Sequence, residues 1–221
     1  MAQQNGPRLI KVNESRHLVV TPKARLSFPQ LFVARSFQDQ EGQKKEFRAD
    51  LIFDAQDAFK EKGKTKRGET PSMIGAINNA KVDQWGPNKD KWPKMPFPVF
   101  KKGSERTNKD GEVYEGYDGK WFITAKSGEK FPPKVLLANG QPASEKDLYG
   151  GCFVKAALLA RPYAFGKNFG VRFILLQLIK VGDGERFGGV SEDLFDVSEV
   201  SDDMEMDVGG DFGGDDDNDD F

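Results

Sequence analysis

The stretch CFVKAALLARPYAFGKNFGVRFILLQLIKV, residues 152–181, decides the fold. Its two arms, CFVKAALLAR at 152–161 and VRFILLQLIKV at 171–181, are apolar on both parities, the mark of central strands covered on both faces. Between them PYAFGKNFG, residues 162–170, has the Gly and Pro of a hairpin connection. The longest apolar run, Phe173 to Ile179, is interrupted by Gln177 and bounded by Arg172 and Lys180. It falls far short of the ~20 residues that span a bilayer, so no membrane segment is expected.

Working outward, the hydrophobic period stays near two. Phe47, Ala49, Leu51 and Phe53 alternate with Glu46, Arg48 and Asp50, which predicts a strand with one solvated face. Trp121, Ile123 and Ala125 alternate with Lys120, Phe122, Thr124 and Lys126 and predict a second. RLIKV at 8–12 and HLVV at 17–20 are weaker strand candidates. Helix signals are few: Thr70 and Pro71 resemble an N-cap and first-turn proline ahead of Met73, Ile74, Ile77 and Trp85, with a Gly86-Pro87 stop. A shorter helix is expected from Asp54 to about Lys62. With 24 Gly and 12 Pro for turns, the expected class is mainly β, an antiparallel barrel or sandwich with one or two inserted helices.

The formal net charge of -2 hides a segregation along the chain. All 33 Lys and Arg lie at or before Arg186, whereas fourteen of the 35 acids fall in SEDLFDVSEVSDDMEMDVGGDFGGDDDNDDF, residues 191–221. So dense a run of like charge, with few large apolar residues, cannot offset the entropy of ordering, and a disordered tail is predicted. Leu194, Phe195, Val197 and Val200 fit an amphipathic turn only loosely. The reading is one domain over residues 1–190 and a tail over 191–221. A body with twelve excess positive charges attracts polyanions, and the tail is a tethered competitor for the same surface. The opening MAQQNGPRL has no apolar core ahead of a small-residue site, which predicts no secretory signal.

Catalytic chemistry finds little to use. One cysteine, Cys152, and one histidine, His17, cannot make an internal disulfide or a Cys/His zinc site, and any triad would rest on His17 alone. There is no GxxxxGK[ST], and GDGERFGG at 182–189 lacks dinucleotide-loop spacing. Asp215, Asp217 and Asp219 imitate the start of a calcium loop without its glycine or its distal glutamate, and they read as solvated charge. Asp50, Asp54 and Asp57 could assemble a nuclease metal site, but three acids near a strand end are ordinary surface chemistry. His17 reads as a strand residue and Cys152 as a small core residue. No catalytic residue, metal or cofactor is expected.

Binding chemistry does better. A reader of single strands needs cations interleaved with rings, because the phosphates run along one track and the base faces are free. The segment KDKWPKMPFPVFKKG, residues 89–103, sets Trp92, Phe97 and Phe100 among Lys89, Lys91, Lys94, Lys101 and Lys102. The segment VYEGYDGKWFITAKSGEK, residues 113–130, sets Tyr114, Tyr117 and Phe122 among Lys120, Lys126 and Lys130. Period two puts Lys120, Phe122, Thr124 and Lys126 on one face, which predicts an exposed ring between two ammonium groups, with Trp121 turned to the core. Phe122 leads the stacking candidates, followed by Tyr114, Tyr117, Trp92 and Tyr163. Rings in strands are ordinarily core; it is the two segments together, on a cationic body, that favour nucleic acid. KEKGKTKRG at 60–68 reads as a mobile loop with phosphate contacts at most.

A cationic β body followed by an acidic tail ending Asp219-Asp220-Phe221 resembles the single-stranded-DNA-binding proteins of tailed bacteriophages, an OB-fold family. EGYDGKWFITAKS at 115–127, YGGCFVKA at 149–156 and VGDGERFGG at 181–189 are similar to that group. The resemblance is strongest from Tyr114 to Phe221. It implies a five-stranded antiparallel Greek-key barrel, and a protein that coats single strands without sequence preference in phage replication and recombination. It further implies that Asp215, Asp216, Asp217, Asp219, Asp220 and Phe221 recruit a polymerase, primase-helicase or exonuclease, in the cytoplasm of the infected bacterial host, with self-association on DNA as a further expectation. The alternative from another class is a phage assembly or host-inhibitor protein whose acidic tail mimics DNA.

Overall fold

The computed structural model describes residues 12–36, 44–166 and 168–188, all within one contact unit, Met1–Gly188. The expected tail, with Asp215, Asp216, Asp217, Asp219, Asp220 and Phe221, lies outside the described residues, as do residues 8–11 of the strand expected at 8–12.

Ten strands and one α-helix are described. They are β1 Leu18–Val20, β2 Ala24–Arg35, β3 Glu46–Phe53, β4 Lys62–Thr65, β5 Gly68–Ser72, α1 Met73–Trp85, β6 Lys101–Lys102, β7 Trp121–Gly128, β8 Lys134–Leu136, β9 Phe153–Phe165 and β10 Asn168–Gly182. The pairs β9–β2, β2–β3, β3–β7, β7–β10 and β10–β9 close a five-membered ring. β1 extends the β9 edge, β8 flanks β10, and β6 pairs β7. β4 and β5 form a separate ribbon.

The two apolar arms are β9 and β10, the most extensively paired strands of the sheet. They run further into the connection than the sequence implied, to Phe165 on one side and back to Asn168 on the other. The wholly antiparallel expectation is corrected: β10 lies parallel to β7 and to β8. The reason is parity. Directions that alternate around five members cannot return to their starting sense, so one seam must be parallel, and here it is β7–β10.

Leu26, Leu51, Phe53, Ile123, Val154, Leu158, Phe173 and Leu175 fill the main core, joined by Met73, Ala76, Ile77 and Ala80 from α1. The helix cap falls later than the sequence suggested. Thr70 and Pro71 belong to β5, and the Ser72 hydroxyl accepts from the Gly75 N–H at 3.1 Å. The helix expected at 54–62 is a 3-10 turn, Gln56–Lys60, whose Phe59 ring stacks on Phe100 at 4.0 Å. Val12–His17 is also 3-10, so strand begins only at Leu18. Among the described residues no helix is long and apolar enough to cross a membrane.

Candidate nucleic-acid interface

The registers of β2, β3 and β7 line up the outer face of the sheet in rows. Arg25, Ile52 and Phe122 form one row, Ser27, Asp50 and Thr124 the next, and Gln30, Arg48 and Lys126 a third. The opposite face carries Leu26, Leu51 and Ile123 into the core. The outer face is therefore cationic at Arg25, Arg48 and Lys126, and β6 brings Lys101 against Phe122 at its border.

The first two rows are not bare. The loop between β6 and β7 folds over them, placing the Tyr117 ring edge-on to Phe122 at 5.2 Å, with Ile52 beneath. The buried Asp50 carboxylate accepts from the Tyr117 hydroxyl at 3.0 Å and the Thr124 hydroxyl at 2.6 Å, and pairs with the Arg106 guanidinium at 3.1 Å. Burial, then the Asp50 charge beside it, holds the Tyr117 phenol well above its ordinary range, so it remains a donor. A buried carboxylate needs this set, since an ion without partners costs several kcal/mol.

What stays open to solvent is a different ring. Phe28 is 41% exposed, meets Tyr114 edge-to-face at 4.9 Å, and lies under the Arg106 guanidinium at 4.5 Å. Its φ of 44 falls in the left-handed region, which a bulky residue adopts only where the surroundings force it. The register between β2 and β3 slips just there, between Ser27 and Gln30, and the bulge re-aims Phe28 outward. The group of Phe28, Tyr114 and Arg106, with Arg48 and Lys126 in the adjoining row, offers a flat apolar face beside several cations.

A strap closes one side of this surface. Beyond β10 the Phe187 ring lies against the alpha carbon of Gly116, where an added Cβ would meet it at 2.3 Å, and Gly116 itself has φ of 79. The Arg25 guanidinium sits over Phe187 at 4.3 Å, and the Gly188 N–H donates to Glu115 Oε2 at 2.6 Å. Tyr149 donates to Asp183 at 2.9 Å, and Lys180 pairs with the same carboxylate at 2.6 Å.

The sequence-derived candidates divide accordingly. Tyr114, Tyr117, Lys120, Phe122, Lys126 and Lys101 gather at this face. The exposure expected for Phe122 and Tyr117 is corrected: Phe122 is 3% and Tyr117 0% exposed, because the loop covers the strand face they share. Lys120 pairs with Asp54 at 2.9 Å, and Lys126 pairs with Glu46. The expected solvated face of β3 is likewise corrected at Asp50. Trp92 is fastened elsewhere, its indole N–H donating to Gly86 O at 2.9 Å and Lys81 lying over its ring. Lys94 and Lys102 are exposed, and Phe97 is 60% exposed with no ring partner among the described residues. Tyr163 is half-buried on the outer part of β9, packed over Gly170. Trp121, expected in the core, is partly buried against it.

Arg25, Phe28 and Arg106 went unnoticed in the sequence, and Arg48 was read only as part of the solvated face of its strand. The only signal was Pro29 within SFPQ, a proline that breaks the period of an otherwise regular strand. Asp50, Asp54 and Asp57 are engaged by Arg106, Lys120 and Lys60 respectively, and among the described residues no three His, Cys, Asp or Glu come together to hold a metal. His17 is largely buried with Nε2 2.7 Å from Asp83, and burial pushes the Cys152 thiol up.

No curated protein matches the chain. The structure of the single-stranded DNA-binding protein from bacteriophage Enc34 in complex with ssDNA is similar, with TM-score 0.56 and 18% identity, covering 85% of this chain and 100% of that one. A C-terminal truncation of the Enc34 protein gives TM-score 0.56 at 18% identity, covering 85% of this chain and 99% of that one. A further structure of the Enc34 protein gives 0.54 at 20%, covering 88% and 98%. At these identities the likeness is one of fold: a mainly β body with one α-helix. The family model described as Enterobacter phage Enc34, ssDNA-binding protein, matches residues 17–205. That span takes in every strand of the closed ring, and the chain belongs to the Enc34 single-stranded-DNA-binding protein family.

Proposed function

We propose that this chain binds single-stranded DNA without sequence preference on the β2–β3–β7 face and protects it during phage replication and recombination. The observation that carries the reading is the exposed Phe28 ring beneath Arg106, on a sheet face lined by arginine and lysine. A base stacks on such a ring whatever its identity, and the cations track phosphates. Family membership, and a relative solved in complex with ssDNA, support it.

The ring reads as an OB barrel. β2, β3 and β7 form a meander, β9 returns beside β2, and β10 closes between β9 and β7; this order supports the reading, and a crystal structure of the protein tests it. The protein acts as a binder and not a catalyst, in the cytoplasm of the infected bacterial host. The acidic residues of 191–221 compete with DNA for the cationic body, while Phe221 with Asp215, Asp216, Asp217, Asp219 and Asp220 docks a polymerase, primase-helicase or exonuclease. The body domain ends near residue 190. Lys94, Phe97, Lys102 and Tyr163 remain outlying contacts for a longer strand.

Filter binding of labelled single-stranded and duplex oligonucleotides, with and without magnesium, tests the reading. Tight, sequence-tolerant retention of single strands without cleavage is expected. Absence of retention at low salt, or cut oligonucleotide, would overturn it.

A further inference from the structure

The segment expected to be a mobile loop at 60–68 is an anchored ribbon, and its charge is not used by the interface above. β4 and β5 pair from Lys62↔Ser72 to Thr65↔Gly68. The turn between them is built: the Arg67 N–H donates to Thr65 Oγ1 at 3.1 Å, and that hydroxyl donates to Gly68 O at 3.2 Å. The ribbon is pressed onto β1. A Cβ at Gly63 would meet Val20 O at 2.4 Å, and the Val20 N–H donates to the buried Thr70 Oγ1 at 3.2 Å.

Period two then sorts the side chains. Gly63 and Thr65 face the body, whereas Lys62 and Lys64 are exposed, and Lys66 and Arg67 stand exposed at the turn. The acids at hand are Glu61, exposed beside Lys62, and Glu69, which stands across from Lys64 and lies 3.4 Å from Lys62; against them the ribbon sets four cations. Among the described residues no ion pair engages Lys64, Lys66 or Arg67. Alternate residues of a strand are ~7 Å apart, a spacing comparable with that of successive phosphates along an extended polynucleotide. The ribbon has no aromatic residue, so it holds charge without a means of stacking bases.

Its position is separate from the first site. β1, which carries the ribbon, pairs with β9 at Ala157, Leu158 and Leu159, whereas β2, the strand of the first site that also pairs with β9, meets it at Phe153 and Val154. We propose that Lys62, Lys64, Lys66 and Arg67 form a second, base-blind site for the phosphate backbone of a nucleic acid strand, so that one molecule holds two strands at once. The inference rests on the single-strand reading of the first site and extends it.

Native mass spectrometry of the full-length protein with two short oligonucleotides of different mass and no complementarity tests the proposal. The comparison is with the variant carrying Lys62→Gln, Lys64→Gln, Lys66→Gln and Arg67→Gln; all four side chains are exposed, and circular dichroism checks the fold. The wild-type chain is expected to carry two oligonucleotides at low salt. The variant is expected to carry one, with the two-strand population reduced at least fivefold and single-strand affinity within about twofold of wild type. A wild-type chain that never exceeds one oligonucleotide, or a variant that holds two equally well, overturns the proposal. If the ribbon instead holds the acidic tail, wild type binds only one strand and the variant binds it more weakly, which also overturns it. Failure of both proteins to bind even one oligonucleotide would instead refute the single-strand reading.

Discussion

The Arg106 guanidinium lies 4.5 Å from the Phe28 ring and 3.1 Å from the Asp50 carboxylate, joining the most exposed element of the candidate interface to its most buried one. Asp50 thereby sets the height and tilt of the cation over the ring. Arg106→Gln leaves the buried carboxylate with its two hydroxyl donors but without its counter-charge. Stability should fall by about 3 kcal/mol, the low end for breaking a buried pair, because Arg106 is partly exposed. Thermal unfolding checks this; a shift of under 2 °C would show that the pair contributes little.

Phe122 and Tyr117 should behave as core. Phe122→Ala is expected to cost ~3–5 kcal/mol of stability, as loss of a large buried ring does. Tyr117→Phe should cost about 1–3 kcal/mol by leaving one acceptor site of Asp50 unmet. In both, oligonucleotide affinity measured well below the unfolding midpoint should stay within about threefold of wild type. A large affinity loss in a fully folded Phe122→Ala protein would return that ring to the binding surface.

Binding should weaken steeply with salt. If cations of this face, such as Arg25, Arg48, Arg106 and Lys126, neutralise ~4 phosphates, log K against log salt should have a slope near -3, from about -0.7 per phosphate on a single strand. A fluorescence titration across a range of salt concentrations measures it, and a flat dependence would remove the cationic face from the account.

Removing residues 191–221 takes away fourteen acids tethered to a cationic body, so affinity for single strands should rise. The gain should be largest at low salt and shrink as the screening length falls from ~10 Å at 0.1 M to ~3 Å at 1 M. Deleting Phe221 alone should leave DNA affinity nearly unchanged while weakening capture by a replication polymerase. Weaker oligonucleotide binding by the tail-deleted protein at low salt would contradict the competitor role.

Much of the ring was legible because its strands are patterned by burial. The apolar arms that became β9 and β10, and the alternations at 46–53 and 121–126, record which face each strand buries. β2 escaped because its alternation is broken by the slip between Ser27 and Gln30, and the rest of what escaped was created by chain passing over chain. Period two put Phe122 and Asp50 on the outward face correctly, yet that face is covered by Tyr117 and Arg106 from a loop whose path no local pattern encodes. Trp92 sits among lysines in sequence but is fixed against Gly86, since charge density along a segment does not state which way a ring turns. KEKGKTKRG has no apolar alternation to announce a ribbon, and Phe28 owes its exposure to a slipped register rather than to a strand period.

The most direct test of the central claim is Phe28→Gly, followed by single-stranded oligonucleotide affinity and thermal unfolding on the same protein. Glycine accepts the φ of 44 that strains phenylalanine, which offsets the packing lost with the ring. The midpoint should therefore stay within about 4 °C, while affinity falls roughly 5- to 150-fold, the loss of one base stack at ~1–3 kcal/mol. Unchanged affinity in the folded Phe28→Gly protein would contradict the claim that single strands bind on the β2–β3–β7 face.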